Sequence, residues 1–378
     1  MKIIVIGAGF AGLAAVNKLK KLKGLHQVFL FDKNTYTTMI PSLPDLAGDK
    51  LPADILREDI SKLIPGWIVL ENEKVHAVDL NSRIAISDKA SYQYDYLIVA
   101  TGSVTNFYRF VKQLSKIHKI DCLAEAQRIR NDFVDYIKNR RNNYHLIISG
   151  AGYTGLELAC ALRYFARKMG ANIPITIIEM AEDMLPFLSE AERAYIKKYL
   201  ADLHIEIMWK SKVTNFDGKD VTINNNIIIN DVFLCWAAGS KFAIENFVGN
   251  VVRINDGRIL VNEFLQLTNY PEVFVAGDAA AIKSKGIFLR KALNFALDSG
   301  KQAGENLARL IEGEKMIKYK PVDLGWIIPL QEISIGRILD RIPVSGKLGL
   351  RLHYFVVGYR NYNLRNFLAY LKVAINLF

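Results

Sequence analysis

The chain has 378 residues, 51% of them hydrophobic and 23% charged, a core-forming composition of about two domains that excludes a disordered chain. Its net charge is +11, and its three cysteines, Cys122, Cys160 and Cys235, include no C-x-x-C pair. That excludes a disulfide scaffold, a zinc ribbon, a thiolate-held iron–sulfur cluster and dithiol exchange, and points to a reducing compartment.

Lys2–Ile6 is β-branched and continuous, the pattern of a buried parallel strand. The glycines directly after it argue against a short signal peptide. Gly7-Ala8-Gly9-Phe10-Ala11-Gly12 follows, then a predicted helix from Leu13 to about Lys21 and a strand, Gln27–Phe31, ending in Asp32. Gly7 permits the tight turn, Gly9 the approach of a pyrophosphate, and Gly12 the close packing of helix on strand. The helix N-terminus adds unpaired N–H groups and the positive end of a dipole. Asp32, 20 residues past Gly12, is placed to accept from ribose hydroxyls.

Tyr94–Gly102 reads as a strand ending in a small-residue turn, and Lys112–Arg141 as a polar helical crossover. The first pattern then recurs. Tyr144–Ser149 is a predicted strand, followed by Gly150-Ala151-Gly152-Tyr153-Thr154-Gly155, a helix from Leu156, and a strand Ile175–Ile178 ending in Glu179. Two such units imply two dinucleotides. A carboxylate at Glu179 accepts from a 2′-hydroxyl and repels a 2′-phosphate, and no Lys or Arg follows it before Arg193, so the second dinucleotide reads as NADH rather than NADPH. Cys160, in the helix after this loop, and Cys235, in an apolar strand, read as inert core residues. Glu272–Asp278 is another strand, with Gly277-Asp278 at its carboxyl end, where ligands of open α/β sheets bind; a helix N-cap is the structural alternative for Asp278.

From Arg341 to Phe378 there are six basic residues and no acid, which suits an anionic partner surface. Leu364, Phe367, Leu368, Leu371, Ile375 and Phe378 recur at helical spacing, with Asn363 able to cap the start. Arg365, Asn366, Lys372 and Asn376 fall largely elsewhere. No apolar run reaches 18 residues, so no transmembrane helix is predicted, and the tail reads as an interfacial helix.

These motifs together resemble the flavoproteins with two dinucleotide-binding domains. Within them the chain resembles the type II NADH dehydrogenases (single-subunit NADH:quinone oxidoreductases) and related quinone reductases. The resemblance is carried by Ala100-Thr101-Gly102-Ser103 with Thr105-Asn106-Phe107, by Gly152–Ala159 (GYTGLELA), by Glu179–Pro186 (EMAEDMLP) and by Trp236–Gly239 (WAAG). Asn269–Ala279 (NYPEVFVAGDA), Lys318–Gly325 (KYKPVDLG) and Ser334-Ile335-Gly336 extend it along most of the chain. One stretch departs: where the family carries A-Q-x-A-x-Q beside the flavin, this chain has Leu293–Asp298, with Asn294 and Asp298 in place of the glutamines. The disulfide reductases of the wider family need a cysteine pair near residues 40–50, where Thr37-Thr38-Met39-Ile40-Pro41 stands, and the sulfide:quinone branch needs a late cysteine, of which none follows Cys235.

The resemblance implies FAD held by Gly7, Gly9, Phe10, Ala11, Gly12, Asp32, Lys33, Ala100, Thr101, Gly102, Gly277 and Asp278. It implies NADH as co-substrate, held by Gly150, Gly152, Tyr153, Thr154, Gly155, Glu179 and Gly239. Glu157 would contact the nicotinamide carboxamide, and Asp298 and Lys291, both expected on the helix after Asp278, are candidates for handling protons. The expected fold is α/β, with two Rossmann-like dinucleotide-binding domains. The FAD domain (1–110 and 255–325) is split by an inserted NADH domain (111–254), and a C-terminal module (326–378) faces the membrane. The expected activity is hydride transfer from NADH to flavin and electron transfer to a membrane quinone, ubiquinone or menaquinone, without proton pumping. The enzyme would sit peripherally on the cytoplasmic face of the cell membrane, with a dimer contact as the other use of the tail and with no metal or nucleic acid involved. Alternatives are a soluble reductase of a small electron-carrier protein, a sulfide:quinone-type relative, and a slow-turnover NADH/FAD redox sensor.

Overall fold

The computed structural model describes residues 1–108, 110, 113–139, 144–244 and 246–376. The principal elements begin with β1 (Lys2–Ile6), α1 (Phe10–Val16), β2 (Gln27–Asp32), α2 (Leu43–Ala47), β3 (Val69–Asn72), β4 (Tyr96–Val99) and α3 (Leu123–Asn139). They continue with β5 (His145–Ser149), α4 (Tyr153–Lys168), β6 (Ile175–Ile178), α5 (Glu190–Asp202), β7 (Ile205–Met208) and β8 (Val232–Trp236). The last are β9 (Gln266–Leu267), β10 (Tyr270–Val275), α6 (Leu293–Ile311), β11 (Gly325–Pro329), β12 (Ser334–Ile338), β13 (Ile342–Ser345), α7 (Gly346–Tyr359) and α8 (Leu364–Ile375). The fold is α/β, and the chain forms two compact units. One comprises residues 1–37, 58–104 and 240–324, the other residues 38–57, 105–239 and 325–378.

The first unit carries a six-stranded sheet in the order β9-β10-β4-β1-β2-β3. From β10 to β3 the neighbours run parallel, and β9 is an antiparallel edge. β1 is central: Ile3, Ile4 and Val5 have no exposed surface, as a strand covered on both faces requires. β1 leads through α1 to β2 on one side, while β4 flanks it on the other. The crevice at their carboxyl ends is the switch point where such sheets bind ligands. α6 lies on α1 with almost no side chain between them. A Cβ on Gly300 would stand 2.1 Å from the Ala11 carbonyl oxygen, and one on Gly304 would stand 2.4 Å from that of Ala15.

The second unit repeats the plan. Its four-stranded sheet, β7-β6-β5-β8, is wholly parallel, and β5 is flanked by β6 and β8 as β1 is by β2 and β4. Two further layers join it. α2 packs on α4, where a Cβ on Gly48 would stand 2.8 Å from the Ala161 Cβ. The antiparallel sheet β11-β12-β13 leads into the hairpin of α7 and α8, which close tightly where Gly358 faces the Tyr370 Cβ.

Three helices differ from expectation. α1 ends at Val16 rather than near Lys21. The Asn17 side chain there donates to the Leu13 and Leu63 carbonyls (2.9 and 3.1 Å), and a separate 3₁₀ turn covers Leu19–Leu22. The crossover helix begins at Leu123. The residues before it run beside β8 instead, with the His118 N–H on the Leu234 carbonyl and the Trp236 N–H on that of His118 (2.9 and 2.7 Å); Lys112 and Arg141 lie outside the described residues. α8 has the predicted cap, Asn363 accepting from the Asn366 N–H at 2.8 Å, but the predicted apolar stripe is not its packed face. Asn366, Tyr370 and Ala374 are buried, and Leu364, Leu368 and Ile375 are exposed. Phe378 lies outside the described residues.

An Ala for Gly in an exposed helix gains up to about 1 kcal/mol, but an added methyl in a closed contact costs about 1–3 kcal/mol. At Gly300 the second effect wins. Gly300→Ala is expected to lower the urea midpoint; an unchanged or higher midpoint would contradict the α1–α6 contact.

Candidate functional site

At the first switch point Gly7 has φ +99°, and a Cβ on it would lie 2.5 Å from the Ala100 carbonyl oxygen. Only glycine lets β1 turn this closely beside the Ala100-Thr101-Gly102 turn. A Cβ on Gly12 would stand 1.7 Å from the Gly7 carbonyl oxygen, whereas Gly9 has nothing within 4 Å. The loop is therefore closed against its own sheet and open where a pyrophosphate approaches, with Phe10 and Ala11 starting α1. Asp32, at the end of β2, accepts from the Ala8 N–H at 2.7 Å and the Asn34 N–H at 2.8 Å. Burial raises its pKa above the usual carboxylate value, against the two backbone donors and the nearby Lys33 cation. The Thr101 hydroxyl oxygen is buried with no hydrogen-bond partner among the described residues. A polar atom of this kind is normally satisfied, and a bound dinucleotide beside the turn would supply its partner.

Gly277 closes on α1, where a Cβ on it would lie 2.9 Å from the Ala11 Cβ. Asp278 follows in a 3₁₀ turn and caps no helix with its side chain. Burial raises its carboxyl, opposed by Lys291 and Arg258. Lys291 is not on α6 as predicted. It precedes the helix, donates to the Ser240 hydroxyl at 2.5 Å, and has its ammonium pKa lowered by burial against the attraction of Asp278. Asp298 is on α6, part-exposed, and pairs with Lys301 at 3.6 Å.

The second loop reproduces these distances. Gly150 has φ +106°, and its Cβ would lie 2.5 Å from the Ala237 carbonyl oxygen; that of Gly155 would stand 1.9 Å from the Gly150 carbonyl oxygen, and Gly152 is open. Glu179 takes the place of Asp32, accepting from the Ala151 and Ala181 N–H groups at 2.7 and 2.8 Å. Tyr153 and Thr154 start α4, with the Tyr153 ring stacked on Phe187 at 5.6 Å between centroids. Gly239, φ +131°, ends the turn after β8. Both loops fit a dinucleotide.

Glu157 is on the second turn of α4, not the first, and half-buried. Sequence reasoning reached it but not its surroundings. Asp45 on α2 is 8% exposed and accepts from the Tyr354 hydroxyl of α7 at 2.6 Å. The Lys50 ammonium lies 4.7 Å from the Tyr354 ring centroid and donates to the Gln331 carbonyl at 2.7 Å. Burial, and after it the Asp45 charge, push the Glu157 carboxyl well above the usual range. Burial also raises Asp45, against Lys50 and the Tyr354 hydrogen bond. His353 is held neutral, its pKa lowered to about 4 by burial and by Lys50. Asp45 and Tyr354 are 309 residues apart, and no local pattern pairs them. Burial pushes the thiols of Cys160 and Cys235 far up, so neither is a poised nucleophile.

Residues 1–303 match the family described as pyridine nucleotide-disulphide oxidoreductase. A curated relative, the type II NADH:quinone oxidoreductase of Staphylococcus aureus, is 27% identical over 384 residues, covering 92% of this chain and 91% of the relative. Among solved structures, NDH2 of Plasmodium falciparum in complex with NADH superposes with a TM-score of 0.84 at 17% identity, over 99% of this chain and 97% of that one. The sulfide:quinone oxidoreductase of Aquifex aeolicus does so at 0.75 and 19%, over 95% and 90%. These likenesses to solved structures establish the fold.

A carboxyl raised by folding contributes stability that is whole below its unfolded pKa, about 4.3 for Glu, and is lost as pH rises through the folded value. Glu157→Gln removes that dependence. Its stability relative to the parent is expected to increase between pH 5 and 8 in urea titrations; a constant difference would contradict a raised Glu157.

Proposed function

Because the chain belongs to the pyridine nucleotide-disulphide oxidoreductase family, we propose that it is an FAD-dependent NADH dehydrogenase of the type II NADH:quinone oxidoreductase kind. It passes a hydride from NADH to the flavin and the electrons on to a quinone. The observation that carries this reading is the pair of equivalent glycine cradles in a chain without a redox thiol pair. No disulfide joins its cysteines, and Cys160 and Cys235 are buried. Electrons that reach the flavin have no sulfur relay and leave for an external acceptor.

In this proposal the first unit holds FAD. Gly7, Gly9 and Gly12 admit the pyrophosphate, Asp32 and Lys33 meet the adenosine ribose, the Ala100–Gly102 turn lies alongside, and Asp278 meets the ribityl and phosphate region. The second holds NADH through Gly150, Gly152 and Gly155, with Glu179 on the ribose and selecting against a 2′-phosphate. FAD, when bound, supplies the two-electron chemistry, and hydride transfer requires the two rings in near-attack contact. Glu157 meets the nicotinamide carboxamide, while Lys291 and Asp298 carry protons on the flavin side.

A quinone lies in the bilayer, and no helix among the described residues is long and apolar enough to cross one. The hairpin of α7 and α8 suits peripheral binding at the cytoplasmic face. Leu348, Phe355 and Tyr359 are exposed on α7, as are Leu364, Leu368 and Ile375 on α8. Each aliphatic side chain buried at the interface contributes about 1.5–3 kcal/mol, and each basic residue near anionic lipid about 1 kcal/mol. The buried Tyr370 and its hydrogen bond to Ser42 (2.7 Å) tie α8 to its own unit, so substitutions that spare this face are the right probes.

With NADH and quinone in anionic liposomes, the parent protein is expected to sediment with the vesicles and turn over. Leu364→Glu combined with Leu368→Glu and Ile375→Glu should release it, with turnover of a water-soluble quinone retained. Vesicle binding unaffected by the substitutions would remove α8 as the membrane contact, and a loss of dimer instead would assign α8 to a subunit contact. Turnover only with a small electron-carrier protein would favour the soluble reductase.

A further inference from the structure

α4 and α2 meet along one line. Gly48 of the α2 turn closes on Ala161, and Glu157 lies one helical turn before Ala161, on the same face of α4. Asp45 lies three residues before Gly48, close enough for its charge to act on the Glu157 carboxyl. From the other side Tyr354 donates its hydroxyl to Asp45 at 2.6 Å. Asp45 is the better placed of the two carboxyls to hold a negative charge, because it has a phenol donor and the neighbouring Lys50 cation. Glu157 faces that charge with no cation contributing to its environment.

We propose that Asp45, held by Tyr354, is a positioning residue that keeps Glu157 protonated at neutral pH, so that α4 presents an uncharged carboxyl to the bound NADH. The consequence for NADH rests on the reading given above. A Glu two residues past Gly155, on the second turn of a helix whose start is read as binding phosphates, would repel them if it were ionised. As a neutral acid it donates to a carboxamide oxygen and accepts from a carboxamide N–H.

The groups that set this balance come from every element packed against the pair. Asp45 comes from α2 and Lys50 from the segment after it; Tyr354 and the neutral His353 come from α7. Glu332, before β12, faces Lys50. On α4 itself the neighbour is Cys160, whose thiol faces Glu157 and stays protonated through burial. From α8 the Tyr370 phenol faces Asp45, and its pKa too is raised by burial.

The test is infrared spectroscopy of the FAD-loaded protein without NADH, following the carboxylic-acid carbonyl band against pH. At neutral pH a protonated band is expected that Glu157→Gln removes. Asp45→Asn, which keeps the Tyr354 contact, is expected to move its titration down by about one pH unit or more. Tyr354→Phe should move it the same way by less, since Asp45 then takes up a proton more readily and its charge is diluted. In the parent the Kd for NADH is expected to weaken as the band disappears, and in Glu157→Gln to stay flat. An absent band at neutral pH, or a titration unmoved in both Asp45→Asn and Tyr354→Phe, overturns the assignment whether or not quinone is the acceptor. A parent Kd that stays flat across the titration overturns the link to NADH. A shifted band with no NADH:quinone turnover would leave the carboxyl pair standing and overturn the functional reading alone.

Discussion

The approach of a glycine backbone to the carbonyl of a neighbouring strand's terminal turn governs both nucleotide folds. Gly7 lies against Ala100 and Gly150 against Ala237, so closely that a Cβ on either would stand only 2.5 Å from the carbonyl oxygen. Any side chain at either position would push the turn away from the sheet. The loop would then lose its closure, and the first N–H groups of α1 or α4 would no longer converge on one anion. Gly12 and Gly155 make the same demand one turn later. With the loops pinned, Asp32 and Glu179 fall under the Ala8 and Ala151 N–H groups (2.7 Å each). A charge-assisted hydrogen bond of this kind contributes about 1.5–3 kcal/mol and fixes each carboxylate beside its loop.

Much of this was legible in the sequence because it is local. A strand, three glycines, a helix and an acid at fixed spacing describe one βαβ unit, and each reading rests on contacts inside about 30 residues. The place of Asp278 was legible for the same reason, since it follows a strand's carboxyl end, in the turn after β10. The errors also have local causes. Asn17 spends its side chain on the Leu13 carbonyl and stops α1 early. The chain before α3 found a better partner in β8 than in its own helix. Lys291 precedes α6 and places its ammonium on the Ser240 hydroxyl.

Non-local packing was not legible. Periodicity located the apolar stripe of α8 correctly but not its environment. The helix is held by Tyr370, Ala374 and a buried Asn366, while Leu364, Leu368 and Ile375 of the stripe are exposed and Phe367 and Leu371 are half-buried. Exposed apolar side chains grouped on one helix mark an interaction surface. Asp45 sits in an apolar run, Leu43-Pro44-Asp45-Leu46-Ala47, where a buried acid demands a partner. Only the fold names that partner as Tyr354.

The account turns on two dinucleotides sharing one polypeptide, with electrons crossing from one to the other without a thiol. The most direct test is an anaerobic titration of the purified protein with NADH, following the isoalloxazine absorbance. The account predicts one FAD per chain, fully bleached by one equivalent of NADH and recovered on adding quinone. A chain that takes up no flavin, or holds flavin that NADH leaves oxidised, would contradict it.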